Sequence, residues 1–215
     1  MRVTGSRWSE TGILKDFVQA VAADAPPAGG AVAALLGALA AALSEMVSVL
    51  TVGKQEPIGE DSLPELADAL CQVPVLRETL LAAIDHDIAV IDGLLKVQRL
   101  VHAPGTGRRH GRGLLRQAWA EATEVSLSIA EHSLAALKLS EVVLRHAKSS
   151  VTADAAAAAY IARAAVEISL LNARQNARHV DGPMQQVWWK DMDRIDSEKS
   201  MIIQRVHDFI ARELF

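Results

Sequence analysis

The chain is predicted to be all-α, a single-domain antiparallel bundle of five to six helices. Three observations predict this: apolar residues recur with a period near 3.6, Gly and Pro punctuate the chain only at wide intervals, and half of the 215 residues are apolar. A chain of this length buries a substantial core, and no Pro/Ser-rich linker divides it.

Helices are expected near 9–24, 29–53, 62–100 with a kink at Pro74, 113–147, 153–180 and 184–213. The second is the most distinctive. Pro26 and Pro27 cannot continue a helix from upstream, and Gly29 and Gly30 let the backbone approach a partner closely. The first amides of such a helix have no partner within it, and its positive dipole end attracts an anion or a ligand oxygen. A plainer reading is that the glycines only let two helices touch. The run from Gly29 to Val52 has the length of a membrane span, but Glu45 interrupts it and alanine contributes little hydrophobic drive, so a buried helix fits better. Gly30, Ala33, Ala34, Gly37 and Ala41 repeat at helical spacing and invite close packing.

In the third helix Leu81, Ile84, Ile88, Ile91 and Leu95 define the expected buried stripe. Asp85 and Asp92 then fall on one flank, Asp87 on the other, and His86 points outward. A carboxylate at the edge of an apolar stripe is partly desolvated, which raises its pKa and suits proton transfer at neutral pH. An ordinary boundary residue paired with an arginine is the plainer account of either aspartate alone. Residues 103–111 read as a flexible basic loop containing Arg108 and Arg109, with Arg112 just beyond.

In the fifth helix Asp154, Ala158, Ile161, Ala165, Ile168, Asn172 and Asn176 share a stripe. An unpaired buried amide costs roughly 1–3 kcal/mol, so the two asparagines must find helix termini or a ligand. Asp154 near the helix start also complements the dipole. Trp188 and Trp189 read as packing or interface anchors.

Composition narrows the function classes. A net charge of −4 with interspersed signs offers no cationic face for duplex nucleic acid. The single cysteine, Cys71, excludes an internal disulfide and a cysteine-based zinc cluster, and fits a reducing compartment. The N-terminus lacks a signal-peptide core, so a cytoplasmic protein is expected. H-E-x-x-H, G-x-S-x-G and P-loop patterns are absent from the sequence, and its seven histidines have no metal-ligand spacing.

Several segments together resemble the cyclodeaminase/cyclohydrolase family, which comprises the C-terminal domain of formiminotransferase-cyclodeaminase and the methenyltetrahydrofolate cyclohydrolases. Pro27-Ala28-Gly29-Gly30-Ala31-Val32 is similar to the family's P-G-G-G-S-V, Gly53-Lys54 to its G-K, and Asp85-His86-Asp87 to its D-x-D. Val125 to Glu131 is similar to V-P-L-x-x-A-E, with Ser126 in place of proline, and Asp154, Asn172 and Asn176 keep the spacing of an aspartate followed by N-x-x-x-N. The resemblance implies an all-α homodimer with a folate pocket near the subunit interface. It implies a tetrahydrofolate derivative as substrate, no bound cofactor and no metal, and no nucleic-acid or membrane partner. Asp85 or Asp87 would be the general acid/base, and Lys54 would stabilise charge or fix the pterin. Pro27, Gly29, Gly30, Ala31, Lys148, Asp154, Asn172 and Asn176 would bind substrate, and Arg108, Arg109 and Arg112 would meet a glutamate tail or simply face water. Departures accompany these matches: Ala28, Ala31, Ala147-Lys148 and Ala153 stand where the pattern has glycine, serine, G-N and serine. Two other readings therefore stay open: an enzyme of this fold acting on a non-folate small molecule, and a non-catalytic helical interaction protein.

Overall fold

A computed structural model describes residues 12–23, 26–52, 63–102 and 108–213. Among them all regular structure is helical: α1 (Gly12–Val21), α2 (Gly29–Val52), α3 (Leu63–His102), α4 (Arg108–His146), α5 (Thr152–Ala177) and α6 (Pro183–Glu213), with a short 3-10 turn at Ser149–Val151 before α5.

The local chemistry explains the breaks. Gly182 adopts φ of 122°, a conformation that side-chain-bearing residues rarely take, and it turns the chain after α5. Pro183 then opens α6 in its first turn, where no backbone N–H is needed for the helix ladder. Gln185 Nε2 donates to the Ala177 carbonyl at 2.8 Å and ties the end of α5 to the start of α6. Helix α3 continues through Pro74. Helix α4 starts at Arg108, ahead of the expected 113, so part of the expected basic loop is helical and Arg112 is an exposed residue of α4. Gly111 and Gly113 cost only about 1 kcal/mol each in a helix, too little to stop one this long.

Helices α2, α4 and α5 pack on one another at the centre; α3 lies against α2 and α4, and α6 against α4 and α5. The buried side of α2 is Gly30, Ala34, Gly37, Ala41, Ser44, Ser48 and Thr51. Small residues bring the helices close: a Cβ on Gly37 would lie 2.9 Å from Ser133 Oγ and 3.1 Å from the methyls of Leu80. By length and composition α2 could cross a membrane, and half of its most apolar window is buried within the bundle.

The buried stripe of α3 differs from the expected one. Leu66, Val73, Leu80, Asp87 and Leu94 recur every seven residues and are buried, with Ala69, Leu76 and Val90 between them, whereas Leu81 is exposed. The expected register followed the bulkiest residues, but α3 is apolar on more than one side, and the partner it meets in α2 is made of small residues. Asp87 therefore sits on the centreline of the stripe, at a core position.

Helix α6 buries Trp188, Met192, Ile195, Ile202 and Val206, with Trp189 packed at the edge of this core. Its polar side is registered by ion pairs to α4, Arg205 to Glu141 at 2.6 Å and Lys138 to Glu198 at 2.6 Å, and to α5, Arg174 to Asp196 at 3.2 Å.

Candidate active site

Asp87 points from α3 at the first turn of α2 and is only 3% exposed. Its carboxylate accepts a hydrogen bond from the backbone N–H of Ala31. Its Oδ2 is buried with no partner among the described residues. Gly30 permits this approach, since a Cβ there would stand 2.5 Å from Asp87 Cγ and 2.7 Å from Oδ2. The anion-attracting helix end is thus already engaged by a side chain of the protein itself. Burial is the largest influence on Asp87 and pushes its carboxyl up from 3.8 to about 6, against the opposing pull of the Ala31 N–H and the charge on His86.

A cleft of about 230 Å³ opens beside this carboxyl. Asp87, Ile91, Leu94, Leu95 and Gln98 of α3 form one wall, and Ala28, Gly29 and Gly30 another. Trp119 and Ser126 of α4 and Asn172, Gln175 and Asn176 of α5 complete it. A Cβ on Gly29 would stand 3.4 Å from Asn172 Nδ2, which places that amide against the glycine turn. Asn176 is buried and donates from Nδ2 to the Ala122 carbonyl at 3.2 Å and to Ser126 Oγ at 3.4 Å. Trp119 stacks on His179, with ring centres 4.0 Å apart.

The structure brings Gly29, Gly30, Asp87, Asn172 and Asn176 to one cleft. Pro27 lines a neighbouring hollow with Pro26, Ala28, Ile91 and Leu95, and Ala31 contributes its backbone N–H to Asp87. Asp85 is exposed, two residues away on a helix and hence turned from the cleft, and Asp92 pairs with Lys96 at 2.6 Å. Asp154 is exposed in the first turn of α5, whereas the two asparagines are near the other end of that helix. A rise of about 1.5 Å per residue puts Asp154 on the order of 27 Å from Asn172. Lys148, half-buried before the 3-10 turn, belongs to that distant end too. Lys54 and the side chains of Arg108 and Arg109 lie outside the described residues.

Gln98, Trp119 and Gln175 join the cleft without having been expected from sequence. Gln98 was findable, because the steps from Asp87 to Ile91, Leu94 and Gln98 keep one helical face. Trp119 carries no such signal. A larger groove of about 750 Å³ between α4 and α6 is lined by Arg145, Arg205 and Arg212, but Arg205 is committed to Glu141 and, among the described residues, no partnerless buried group lines it. Among the described residues no cluster of His, Cys, Asp or Glu is arranged to hold a metal ion. The cleft by Asp87 thus combines a carboxyl whose pKa burial raises toward neutrality with side-chain amides able to bond a polar ligand.

Comparison with known proteins agrees with this architecture. Over 203 residues the chain is 26% identical to the methenyltetrahydrofolate cyclohydrolase of Methylorubrum extorquens, covering 94% of this chain and 97% of that protein. The crystal structure of formiminotetrahydrofolate cyclodeaminase from Thermotoga maritima has the same fold, with a TM-score of 0.81 at 21% identity over 96% of this chain and 99% of that one. The family described as Formiminotransferase-cyclodeaminase matches residues 13–188, most of the chain, and the protein belongs to that family.

Proposed function

We propose that this protein is a folate one-carbon enzyme that opens or closes a carbon–nitrogen bond of a bridged tetrahydrofolate, as methenyltetrahydrofolate cyclohydrolase or formiminotetrahydrofolate cyclodeaminase, with Asp87 as proton-transfer group. The observation that carries this reading is the Asp87 carboxyl, buried, partnerless at Oδ2 and poised near pH 6 at the wall of a polar cleft.

In the hydrolytic direction water adds to the bridging carbon of 5,10-methenyltetrahydrofolate. Asp87 takes one proton from that water as the tetrahedral carbon forms and returns it to N5 as the bond from N5 to carbon breaks, while the carbon's hydroxyl releases its remaining proton to solvent and becomes the formyl carbonyl of 10-formyltetrahydrofolate. In the deaminating reaction N10 attacks the carbon of the protonated formimino group, and Asp87 takes the N10 proton and passes it to the departing nitrogen, which leaves as ammonia while the methenyl bridge forms. One group serves both steps because its pKa lies near the working pH. Asn172 and Asn176 orient the pterin, Gly29 gives it room, and Lys54 fixes the pterin or stabilises negative charge that develops on the adding oxygen. Neither route requires a metal ion or a bound cofactor.

The exposed Leu39, Met46 and Leu50, with the half-buried Leu36 and Leu43, form a second apolar stripe on α2, and we assign it to the contact between two copies of a homodimer. The reading places the enzyme in the cytoplasm, with no nucleic-acid or membrane partner.

The test is a titration with 5,10-methenyltetrahydrofolate, followed by absorbance for turnover and calorimetry for binding, beside Asp87→Asn. Turnover above the spontaneous rate is expected, with kcat falling about 10²–10⁴-fold in the variant. Absence of both binding and turnover in the wild-type protein would overturn the folate reading and direct the search to other small carbon–nitrogen substrates.

A further inference from the structure

The cleft contains one amide whose orientation is not free. The Asn176 amide nitrogen donates to two neighbours on α4, the Ala122 carbonyl at 3.2 Å and Ser126 Oγ at 3.4 Å. A backbone carbonyl only accepts, so the nitrogen of the amide must face it. The Ser126 hydroxyl donates its own proton to the same Ala122 carbonyl at 2.9 Å, which leaves it an acceptor toward Asn176. Ser126 is 3% exposed and Asn176 7%, and both line the cleft that holds Asp87. With its nitrogen turned to these two acceptors, the amide presents its carbonyl oxygen on the opposite side of the amide carbon.

We infer that Ser126 is a positioning residue that locks Asn176 with its carbonyl oxygen toward the ligand, so that the cleft selects a substrate bearing an N–H donor near the group that exchanges its proton with Asp87. The inference deepens the proposed function and rests on it for the identity of the ligand: the edge of a pterin ring offers such donors.

Two readouts separate the lock from the ligand. In ligand-free protein with ¹⁵N-labelled asparagine, the Asn176 side-chain amide pair, assigned by its loss in Asn176→Leu, is expected to exchange slowly with water. Ser126→Ala is expected to make it exchange faster, and Ser126→Thr, which keeps the hydroxyl, to leave it protected. With 5,10-methenyltetrahydrofolate, Ser126→Ala is expected to raise KM about three- to ten-fold, the range of one neutral hydrogen bond, with kcat changed less than about two-fold; Ser126→Thr restores KM. An unprotected amide pair in the wild type, or one equally protected in Ser126→Ala, would overturn the lock. A lost lock with KM unchanged would overturn the claim that Asn176 faces the ligand. Wild-type protein that neither binds nor turns over the folate refutes the proposed function instead, and the exchange readout still decides the lock.

Discussion

Helix α2 has two apolar faces that differ in the size of their side chains. Gly30, Ala34, Gly37, Ala41, Ser44 and Ser48 are buried, while Leu39, Met46 and Leu50 on the opposite side are exposed. Hydrophobicity alone would bury the leucines. The small face is inside because it admits three neighbouring helices and the Asp87 carboxylate at short range, where larger side chains would hold them apart. The large face stays outside the monomer's core. In the proposed reading the inner face holds the site and the outer one the contact between copies.

The sharpest way to break this division is to add one carbon to the inner face. Gly30→Ala would drive a methyl into Asp87. Overpacking of this kind costs about 1–3 kcal/mol. A shift of the carboxyl by an ångström costs about 100-fold or more in rate. Gly29→Ala, one residue earlier, meets only the Asn172 amide at 3.4 Å, an ordinary contact, and should fold normally with activity reduced far less. Chemical unfolding and folate turnover of the two variants decide whether close approach at Gly30 is what places the acid.

Charge on the outer face tests the other half. Leu39→Glu with Met46→Glu removes two large apolar groups from the proposed contact, each worth about 1.5–3 kcal/mol when buried. Sedimentation velocity is expected to show a dimer becoming a monomer, with the unfolding free energy of the monomer changed by less than about 0.5 kcal/mol because both positions are exposed. A variant that remains dimeric would place the interface elsewhere.

The fold was largely legible in the sequence for reasons that also limited the reading of the site. Helix number and order follow from apolar period and from Pro and Gly breaks, which are local signals, and the structure keeps them. Register within α3 was not read correctly, because Leu81, Ile84 and Ile88 look more core-like than Ala69 or an aspartate. Yet the seven-residue series Leu66, Val73, Leu80, Asp87, Leu94 is visible in the chain, and a carboxylate at a core position of that series marks the site more sharply than its place in a D-x-D segment does. Asn172 and Asn176 were legible as polar residues on an apolar helix. Asp154, on the same helical face, was grouped with them because periodicity reports direction around a helix and not distance along it. Trp119 and the bonds of Ser126 depend on how α4 meets α5, and no local pattern encodes that.

The buried carboxyl on the inner face also leaves a signature in stability. Asp87 holds its proton up to about pH 6 in the folded chain, against 3.8 for an ordinary aspartate. Between those values the folded state binds more protons than the unfolded state, so stability falls as pH rises through this window and levels off above it. Across the whole window the change is on the order of 3 kcal/mol. Asp87→Asn carries no charge and should lose this slope, becoming more stable than the wild type at pH 7 while losing activity. Urea midpoints at pH 4.5 and pH 7 for both proteins give the comparison, and parallel pH dependences would mean that Asp87 is solvated like any surface carboxylate.

The smallest effect separates packing from hydrogen bonding on that same inner face. Ser44 Oγ and Ser140 Oγ lie 2.9 Å apart, and Ser140 donates to the Ala136 carbonyl at 2.8 Å, so the proton between the two serines comes from Ser44. Ser44→Ala removes a donor and leaves Ser140 bonded to its own helix, at a cost of about 0.5–1.5 kcal/mol. Ser140→Ala leaves the Ser44 hydroxyl buried without its acceptor, and a stranded polar group costs about 1–3 kcal/mol. The double variant should therefore be no less stable than Ser140→Ala alone, since removing the stranded hydroxyl relieves part of its burden. Strictly additive costs would show instead that the two hydroxyls act independently, and that the inner face is held by the closeness of its small side chains rather than by any bond between them.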